Sequence, residues 1–442
     1  AIDVNTSFAT SFNPSLNGIV YSTQISGTTL YTGGAFTSVN GATGRNYFAA
    51  IDMTTGNATS LNPNCNSFVM TLFVSGNTLY MGGDFTSLNG GGTLRNHLAA
   101  IDITSSTITS FNPNINQQVH ALYVVGANLY IGGNFTTVNG ATLRNYLAAL
   151  DTTTGVATSF NPDLNGSIYS LDVNGNTIYA GGAFTKVNSN TISRNNIAAF
   201  DMLSTGTATS FDANLNAVTN TVSISGSLIY AGGKFTSANG GVSRNRLAAV
   251  DLSTGVASAF NPDLNDNVNA LTISGTRLYV GGDFTAVNGG GVTRNYLAAF
   301  DTTTGIATGF DPDLSGPVHA LLFSGNIVYA GGSFTSANGA ISRNFLAAFD
   351  DTTGIVTGFD PDIGGDVYSI AISGSTIYAG GAFASVNSGT VLRNHVAAFN
   401  LTTGLATSFN PNANDWVYSL SFFGSSLYVG GILSGFNAVV RN

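Results

Sequence analysis

The sequence predicts an all-β chain folded as a single closed β-propeller of nine four-stranded blades, and three observations carry that expectation. Only 8% of the 442 residues are charged, with no glutamate and two lysines, Lys186 and Lys234, against roughly 25% charged in an ordinary soluble domain. The 55 glycines stand among many Asn, Thr and Ser. Those residues favour turns and strands where Glu and Lys favour helices, and no stretch repeats apolar residues at helical spacing. Lastly, a Gly-Gly pair recurs at Gly33, Gly82, Gly132, Gly181, Gly232, Gly281, Gly331, Gly380 and Gly430, 49 to 51 residues apart, with an Arg-Asn pair in step from Arg45 to Arg441.

The fourth copy shows the elements in order. Residues 168–173 read as a first strand, turned by Asn174-Gly175-Asn176 into a second at 177–185. A polar loop leads to Arg194-Asn195, and residues 196–200 form a third strand. A turn ending at Gly206 opens a fourth at 207–211. Asn-Gly and Ser-Gly supply the positive φ of a tight hairpin. In the Asp-x-Thr-Thr-Gly turn, Asp accepts local N–H groups and Gly takes the left-handed position. Four short antiparallel strands make one blade, whose apolar faces must pack on the blades beside it. The Gly-Gly pair leaves room for a neighbouring backbone.

The ends bear on closure. Ala1-Ile2-Asp3 reads as the end of a third strand and Ala9-Thr10-Ser11-Phe12 as a fourth, while the chain stops at Arg441-Asn442, just before a third strand. The N-terminal strands would therefore complete the last blade and close the ring without a free edge. An open solenoid would need polar caps instead. No interval can hold a linker, so residues 1–442 read as one domain. Nine blades exceed the usual four to eight, and two smaller rings or part of a longer array remain alternatives.

Net charge is −9, and the 13 basic residues are scattered, which argues against nucleic acid and anionic membrane surfaces as partners. No apolar run approaches the roughly 20 residues of a membrane span, so membrane insertion is not expected. Cys65 stands alone. It excludes an intramolecular disulfide framework and a zinc ribbon and reads as apolar filler. A start at Ala1, few Lys, and much Thr, Ser and Asn fit a secreted protein, extracellular or at the cell surface. Sequons at Asn5, Asn57, Asn134, Asn165 and Asn400 matter only in a host that glycosylates Asn.

The string through Leu129-Tyr130, Gly132-Gly133, Phe135-Thr136, Asn139-Gly140, Arg144-Asn145, Ala148-Ala149, Asp151 and Gly155 recurs along the chain. It resembles the delta-60 type of bacterial β-propeller repeat. It is more distantly similar to quinoprotein-like blades, which share the strand followed by an Asp-x-x-Thr-Gly turn. The resemblance covers essentially the whole chain and implies a fold, not a function. By similarity to quinoprotein blades, residues 119–124 and their equivalents would lie innermost and the Ala-Thr-Ser-Phe strands outermost. The Asn-Pro-x-x-Asn and Val-Asn-Gly-x-x-Arg-Asn loops would then share one face.

A residue present in every copy reads as architecture, because one active site needs asymmetry. That covers the Arg of each Arg-Asn pair, expected to bridge to carbonyls or Asp. It also covers Asp52, Asp102, Asp151, Asp201, Asp251, Asp301 and Asp350, with Asn400 in the same place. Candidates for function lie where copies differ. The second residue of the first strand reads Tyr21, Met70, His120, Tyr169, Asn220, Asn269, His319, Tyr368 and Tyr418, with Trp416 beside the last. Tyr21, His120, Tyr169, His319, Tyr368, Trp416 and Tyr418 form the candidate ligand-binding set, able to stack on a sugar; a merely solvated funnel is the alternative. His97 and His395 read as strand-surface residues, and His120 and His319 as too far apart for a shared metal. Asp311-Pro312-Asp313 and Asp360-Pro361-Asp362 offer hard oxygens for Ca²⁺, or simply Pro-stiffened turns. No catalytic motif occurs, and without Glu any acid–base pair must be Asp alone. No cofactor is implied. The expected function is a non-catalytic structural or adhesive module of a bacterial surface or extracellular assembly, meeting protein, polysaccharide or copies of itself. The alternatives are a glycan-binding lectin-like propeller and a polysaccharide-acting enzyme with a composite Asp site.

Overall fold

Alternation along the short strands decides how each repeat folds. In the fourth repeat the first strand is Ile168–Asn174, the second Thr177–Gly182 and the third Ile197–Asp201, paired antiparallel in that order. A computed structural model of the chain describes residues 2–4, 12, 14, 16–41, 43–423, 426–432, 435–436 and 439–440. Throughout these the protein is all-β, built of small antiparallel sheets, with only two short 3-10 turns, Asn89–Gly91 and Asn288–Gly290. What the sequence reads as a polar loop holds a further miniature hairpin, Lys186–Val187 against Ile192–Ser193.

The four-stranded repeat needs correction. Among the described residues only the second repeat carries a fourth strand, Thr107–Ile108; in the first and the third to eighth the segment keeps a single bridge to the third strand, such as Leu150 to Ala157 or Phe200 to Ala208. Side chains explain the shortening. On the outward edge Ala157 donates its N–H to Asn139 Oδ1 at 2.8 Å, and Arg144 Nη2 donates to the Thr158 carbonyl at 2.6 Å. The Phe160 N–H then donates to Thr158 Oγ1 at 3.2 Å, a local bond that turns the chain inward. Backbone groups that a longer strand would leave bare are thus already paired.

Packing runs between repeats. Tyr80, Leu98 and Ala100 on one face of the second repeat share a core with Val119, Leu122, Leu129 and Ile131 of the third. Residues on the opposite face of the second repeat, Leu79, Met81, Ala99 and Ile101, belong to the core shared with the first. The period-2 pattern therefore divides each sheet between two cores, and a repeat alone would leave both exposed. Phe160 meets Tyr130 edge-to-face at 5.2 Å, and Phe359 meets Tyr329 likewise at 5.6 Å.

The Gly-Gly pair has two separate causes. A Cβ on Gly132 would fall 2.5 Å from Cγ2 of Ile168 in the next repeat. One on Gly133 would fall 2.1 Å from the carbonyl oxygen of Gln118, the residue before its own first strand.

The chain divides into two compact units, Pro14–Ser258 and Ala1–Asn13 with Ala259–Asn442. Within the first, the first strands Val20–Ser26, Val69–Ser75, Val119–Val125, Ile168–Asn174 and Thr219–Ser225 are successive neighbours; within the second, Val268–Ser274, Val318–Ser324, Val367–Ser373 and Val417–Phe423 are. Neighbouring first strands are tied through side chains, as where the Leu72 N–H donates to Ser22 Oγ at 3.1 Å and the Leu420 N–H to Ser369 Oγ at 3.0 Å. In the second unit Ile2–Asp3 pairs antiparallel with Ser426–Gly431, Ile2 opposite Leu427. Phe12 meets Tyr428 at 4.8 Å, the place other repeats give to the Phe after their third strand. The N-terminal segment supplies the last repeat's third strand, as its sequence predicts. Residues 9–11, 441 and 442, and the Asn5 sequon, lie outside the described residues.

Candidate functional site

The divergent column sits on a backbone irregularity. Val119 pairs with Gly133 and Ala121 with Gly132, so His120 is the extra residue of a β-bulge, and the same shift occurs at Tyr21, Tyr169, His319, Tyr368 and Tyr418. A bulge re-aims its unpaired side chain, and here it does so at a position where the copies disagree. Two further columns flank it. One is the residue before the first strand, the other the residue after Gly-Gly. They are adjacent because the second donates its N–H to the carbonyl of the first, Asp84 to Phe68 at 2.8 Å and Ile432 to Trp416 at 3.1 Å. Both columns diverge between copies, and sequence reasoning missed all but Trp416. The signal was present, since residues after Gly-Gly run Ala35, Asp84, Asn134, Ala183, Lys234, Asp283, Ser333, Ala382 and Ile432.

In the first unit Tyr21, exposed, meets Phe68 edge-to-face at 6.2 Å, and His120 meets Tyr169 at 6.0 Å. Gln118 Nε2 donates to Asp84 Oδ1 at 3.0 Å, and Asn134 Nδ2 donates to Gln118 Oε1 at 3.0 Å. Desolvation holds His120 below the usual histidine range against an opposing hydrogen bond from Asn134, so it is neutral at pH 7.

The second unit brings four predicted residues into one cluster. His319 lies 5.6 Å from Tyr368, Tyr368 lies 5.3 Å from Tyr418 and 6.5 Å from Trp416, and Trp416 meets Tyr418 at 6.5 Å, nearly perpendicular. Trp416 is 43% exposed and Tyr418 47%. His319 Nε2 lies 2.9 Å from Ser333 Oγ. The Tyr368 hydroxyl donates to Asp366 Oδ2 at 3.3 Å. Burial first, and then the Asp366 charge, push the Tyr368 phenol up, so it keeps the proton it donates. The Trp416 N–H donates to Asp415 Oδ1 at 2.8 Å, fixing the entry to the strand.

Residues repeated in every copy bond as architecture. Arg294 Nη2 donates to the Thr308 carbonyl at 2.8 Å, and Nη1 meets Asp311 at 3.1 Å. Asn295 Nδ2 donates to Asp313 Oδ1 at 2.7 Å. Asp313 and Asp362 have φ near +40°, a left-handed conformation that Asp and Asn tolerate. The Asp-Pro-Asp loops thus spend their carboxylates on the Arg-Asn pair. Among the described residues no three His, Cys or Asp side chains gather as a metal-holding group. Asp52, Asp102, Asp151, Asp251, Asp301 and Asp350 are held below the usual carboxylate range, mostly by backbone and hydroxyl donors of their turns. A general acid needs the opposite displacement. His97 is a correction: it is buried rather than on a strand surface, with φ of 62° and Nδ1 3.1 Å from the Gly83 carbonyl oxygen. His395, half-buried, repeats the backbone turn with φ of 62° and Nδ1 3.3 Å from Gly381 O.

No family model matches the chain, and no curated protein matches it in sequence. Among solved structures it is similar to the computationally designed Ika8 protein, with 14% identity, a TM-score of 0.47, and 94% of this chain and 95% of that one covered. It is also similar to a chain of a mitotic checkpoint complex, with 15% identity, TM-score 0.38 and coverage of 73% and 82%. A third is the computationally designed Ika4 protein, with 18% identity, TM-score 0.26 and coverage of 42% and 92%.

Proposed function

We propose that the nine repeats close into one β-propeller of the delta-60 kind and act outside the bacterial cell as a non-catalytic adhesive module. Closure is supported by the pairing of Ile2–Asp3 with Ser426–Gly431, which gives the last repeat a third strand from the other end of the chain. The observation that carries adhesion is that the bulge and its flanking columns, where the copies differ, expose the aromatic side chains Tyr21, Tyr169, Trp416 and Tyr418. Aromatic residues that remain exposed at rigid strand ends suit contact with a partner. Low charge and the scarcity of Lys support secretion.

Electron microscopy of protein from its native source tests the architecture, with nine-lobed discs expected. Sedimentation of the intact chain with isolated cell-wall and exopolysaccharide fractions tests adhesion. Binding that falls when Tyr21, Tyr169 and Tyr418 are all replaced by Ser is expected. No binding to any fraction, or binding indifferent to those substitutions, would discard the adhesive reading.

A further inference from the structure

Trp416, Tyr418 and Tyr368 are set apart from other exposed aromatic contacts, such as Tyr21 with Phe68, by a carboxylate bonded to the central phenol. Most rings stack inside the cores between repeats, where Tyr130 and Tyr279 are almost fully buried. These three touch one another at a solvent-facing strand end, with a carboxylate bonded to the central phenol. We propose that Tyr368, Trp416 and Tyr418, with Asp366 at the rim, form a binding platform for an uncharged hexopyranose unit of a polysaccharide. This rests on the adhesive reading and names its ligand.

The chemistry follows from the arrangement. A pyranose has a C–H face and a rim of hydroxyls, so it needs a flat apolar surface bordered by acceptors. Exposed Trp and Tyr faces supply the surface, and Asp366 has carboxylate lone pairs beyond the one Tyr368 occupies. Charge narrows the class. Asp366 and Asp415 both flank the rings, and among the described residues Arg343 and Arg393 are committed to the Thr357 and Thr407 carbonyls at 2.7 Å. Acidic sugars would therefore meet carboxylate repulsion. A quaternary ammonium is the competing occupant, since aromatic faces and a carboxylate also attract cations. Trp416 and Tyr418 pack edge to face, at 88°, an arrangement open to either ligand, and tetramethylammonium is therefore titrated against the sugars.

The platform is preorganised. Tyr368 is held by Asp366 and wedged between His319 and Tyr418, and Trp416 is anchored through its backbone to Asp415 and Ile432. Little side-chain entropy remains to be lost on binding, which is the usual cost for exposed long side chains. Ala382 follows this repeat's Gly-Gly pair where others carry Asp84 or Asn134, leaving the rim beside Asp366 without a competing polar group.

The chain has one tryptophan, so its emission reports this platform alone. The intact protein is titrated with neutral hexaoses (β-1,4-glucan, β-1,3-glucan, α-mannan and β-1,4-N-acetylglucosamine), with tetramethylammonium in parallel, and calorimetry on the same series catches binding that leaves emission unchanged. Expected is saturable binding of at least one hexaose. The affinity should fall about tenfold in Tyr418→Ser, the equivalent of roughly 1.4 kcal/mol, and remain unchanged in Leu143→Ser, an exposed residue outside the bulge and its flanking columns. Saturation by tetramethylammonium but by no sugar, or no saturable signal from any hexaose in either measurement, overturns the proposal. So does a hexaose that binds Tyr418→Ser as well as the parent. Retained binding of that same protein to wall fractions would show that the ligand class failed while adhesion stood.

Discussion

Replacing Gly133 or Gly132 with Ala tests the two packing causes of the Gly-Gly pair separately. A Cβ on Gly133 falls 2.1 Å from the Gln118 carbonyl oxygen and 3.0 Å from Val119 Cα. Both are backbone atoms inside the ladder, so relief requires the bulge to move. Overpacking of this kind costs about 1–3 kcal/mol. Moving the bulge also weakens the bond from the Gly133 N–H to Tyr146 O, worth roughly 1 kcal/mol. Gly133→Ala should therefore lose about 2–4 kcal/mol, a large share of the ~5–15 kcal/mol that holds a folded protein. A Cβ on Gly132 meets Ile168 Cγ2 at 2.5 Å and Leu171 Cδ1 at 3.6 Å. Those are side chains that yield, so Gly132→Ala should cost about half as much.

The decisive comparison adds Ile168→Ala, which removes the opposing methyl and by itself costs about 2–5 kcal/mol. In Gly132→Ala/Ile168→Ala the new methyl occupies vacated space, and the pair should be less unstable than the sum of its parts by on the order of 1 kcal/mol. Gly133→Ala/Ile168→Ala has no such contact to relieve and should be additive. Gly126→Ala is the control, because that position has φ of 57° and nothing within 4 Å of the added Cβ; it should show only the roughly 1–2 kcal/mol of left-handed strain. Guanidinium unfolding followed by far-ultraviolet circular dichroism reads all six variants. A Gly133→Ala protein as stable as the parent, or an additive Gly132→Ala/Ile168→Ala pair, would refute close packing as the reason for these glycines.

Two other outcomes follow from the turns and the core. Turn carboxylates such as Asp301 are held below their ordinary range by backbone and hydroxyl donors, and Asp251 is pulled down to about 2, so their contribution is present above the unfolded value near 4 and is lost as pH falls towards about 2. Asp301→Asn should leave the melting temperature at pH 7 unchanged, because Asn400 already accepts the N–H groups of Thr402 and Thr403 at 3.0 Å, and should make its decline from pH 5 to 2 shallower; a neutral-pH loss as large as the acid one would contradict this. The Cys65 thiol is buried and pushed upward by desolvation, so a disulfide reagent at pH 8 should modify it only in denaturant, and rapid labelling of the native chain would place it wrongly.

What could be read from the amino acids depended on whether a feature repeats through backbone or through side chains. Gly-Gly, Asp-x-Thr-Thr-Gly and the alternating apolar strands act on the backbone of their own repeat, and the first and third strands formed within a residue of their expected ends while the second stops three residues early, at Gly182. The fourth strand was overestimated because its pairing is replaced by the side chains of Asn139 and Arg144, which come from the preceding loop and compete for the same backbone groups. His97 was misplaced for a related reason: as the residue after Arg-Asn it is left-handed, φ 62°, which turns it back under Gly83 instead of out along a strand. At the site, the bulge column was legible since it holds a fixed place in every copy. Its flanking columns lie on opposite sides of the Gly-Gly hairpin and become neighbours only through bonds such as Ile432 N–H to Trp416 O, a relation that a single strand pattern does not contain. The same edge caps bear on assembly. With the N–H and C=O of the last segment already taken by Asn and Arg in repeat after repeat, a strand added at that edge would break Arg bonds to carbonyls worth about 1.5–3 kcal/mol each. A partner at that edge, a second copy included, is therefore met by side chains.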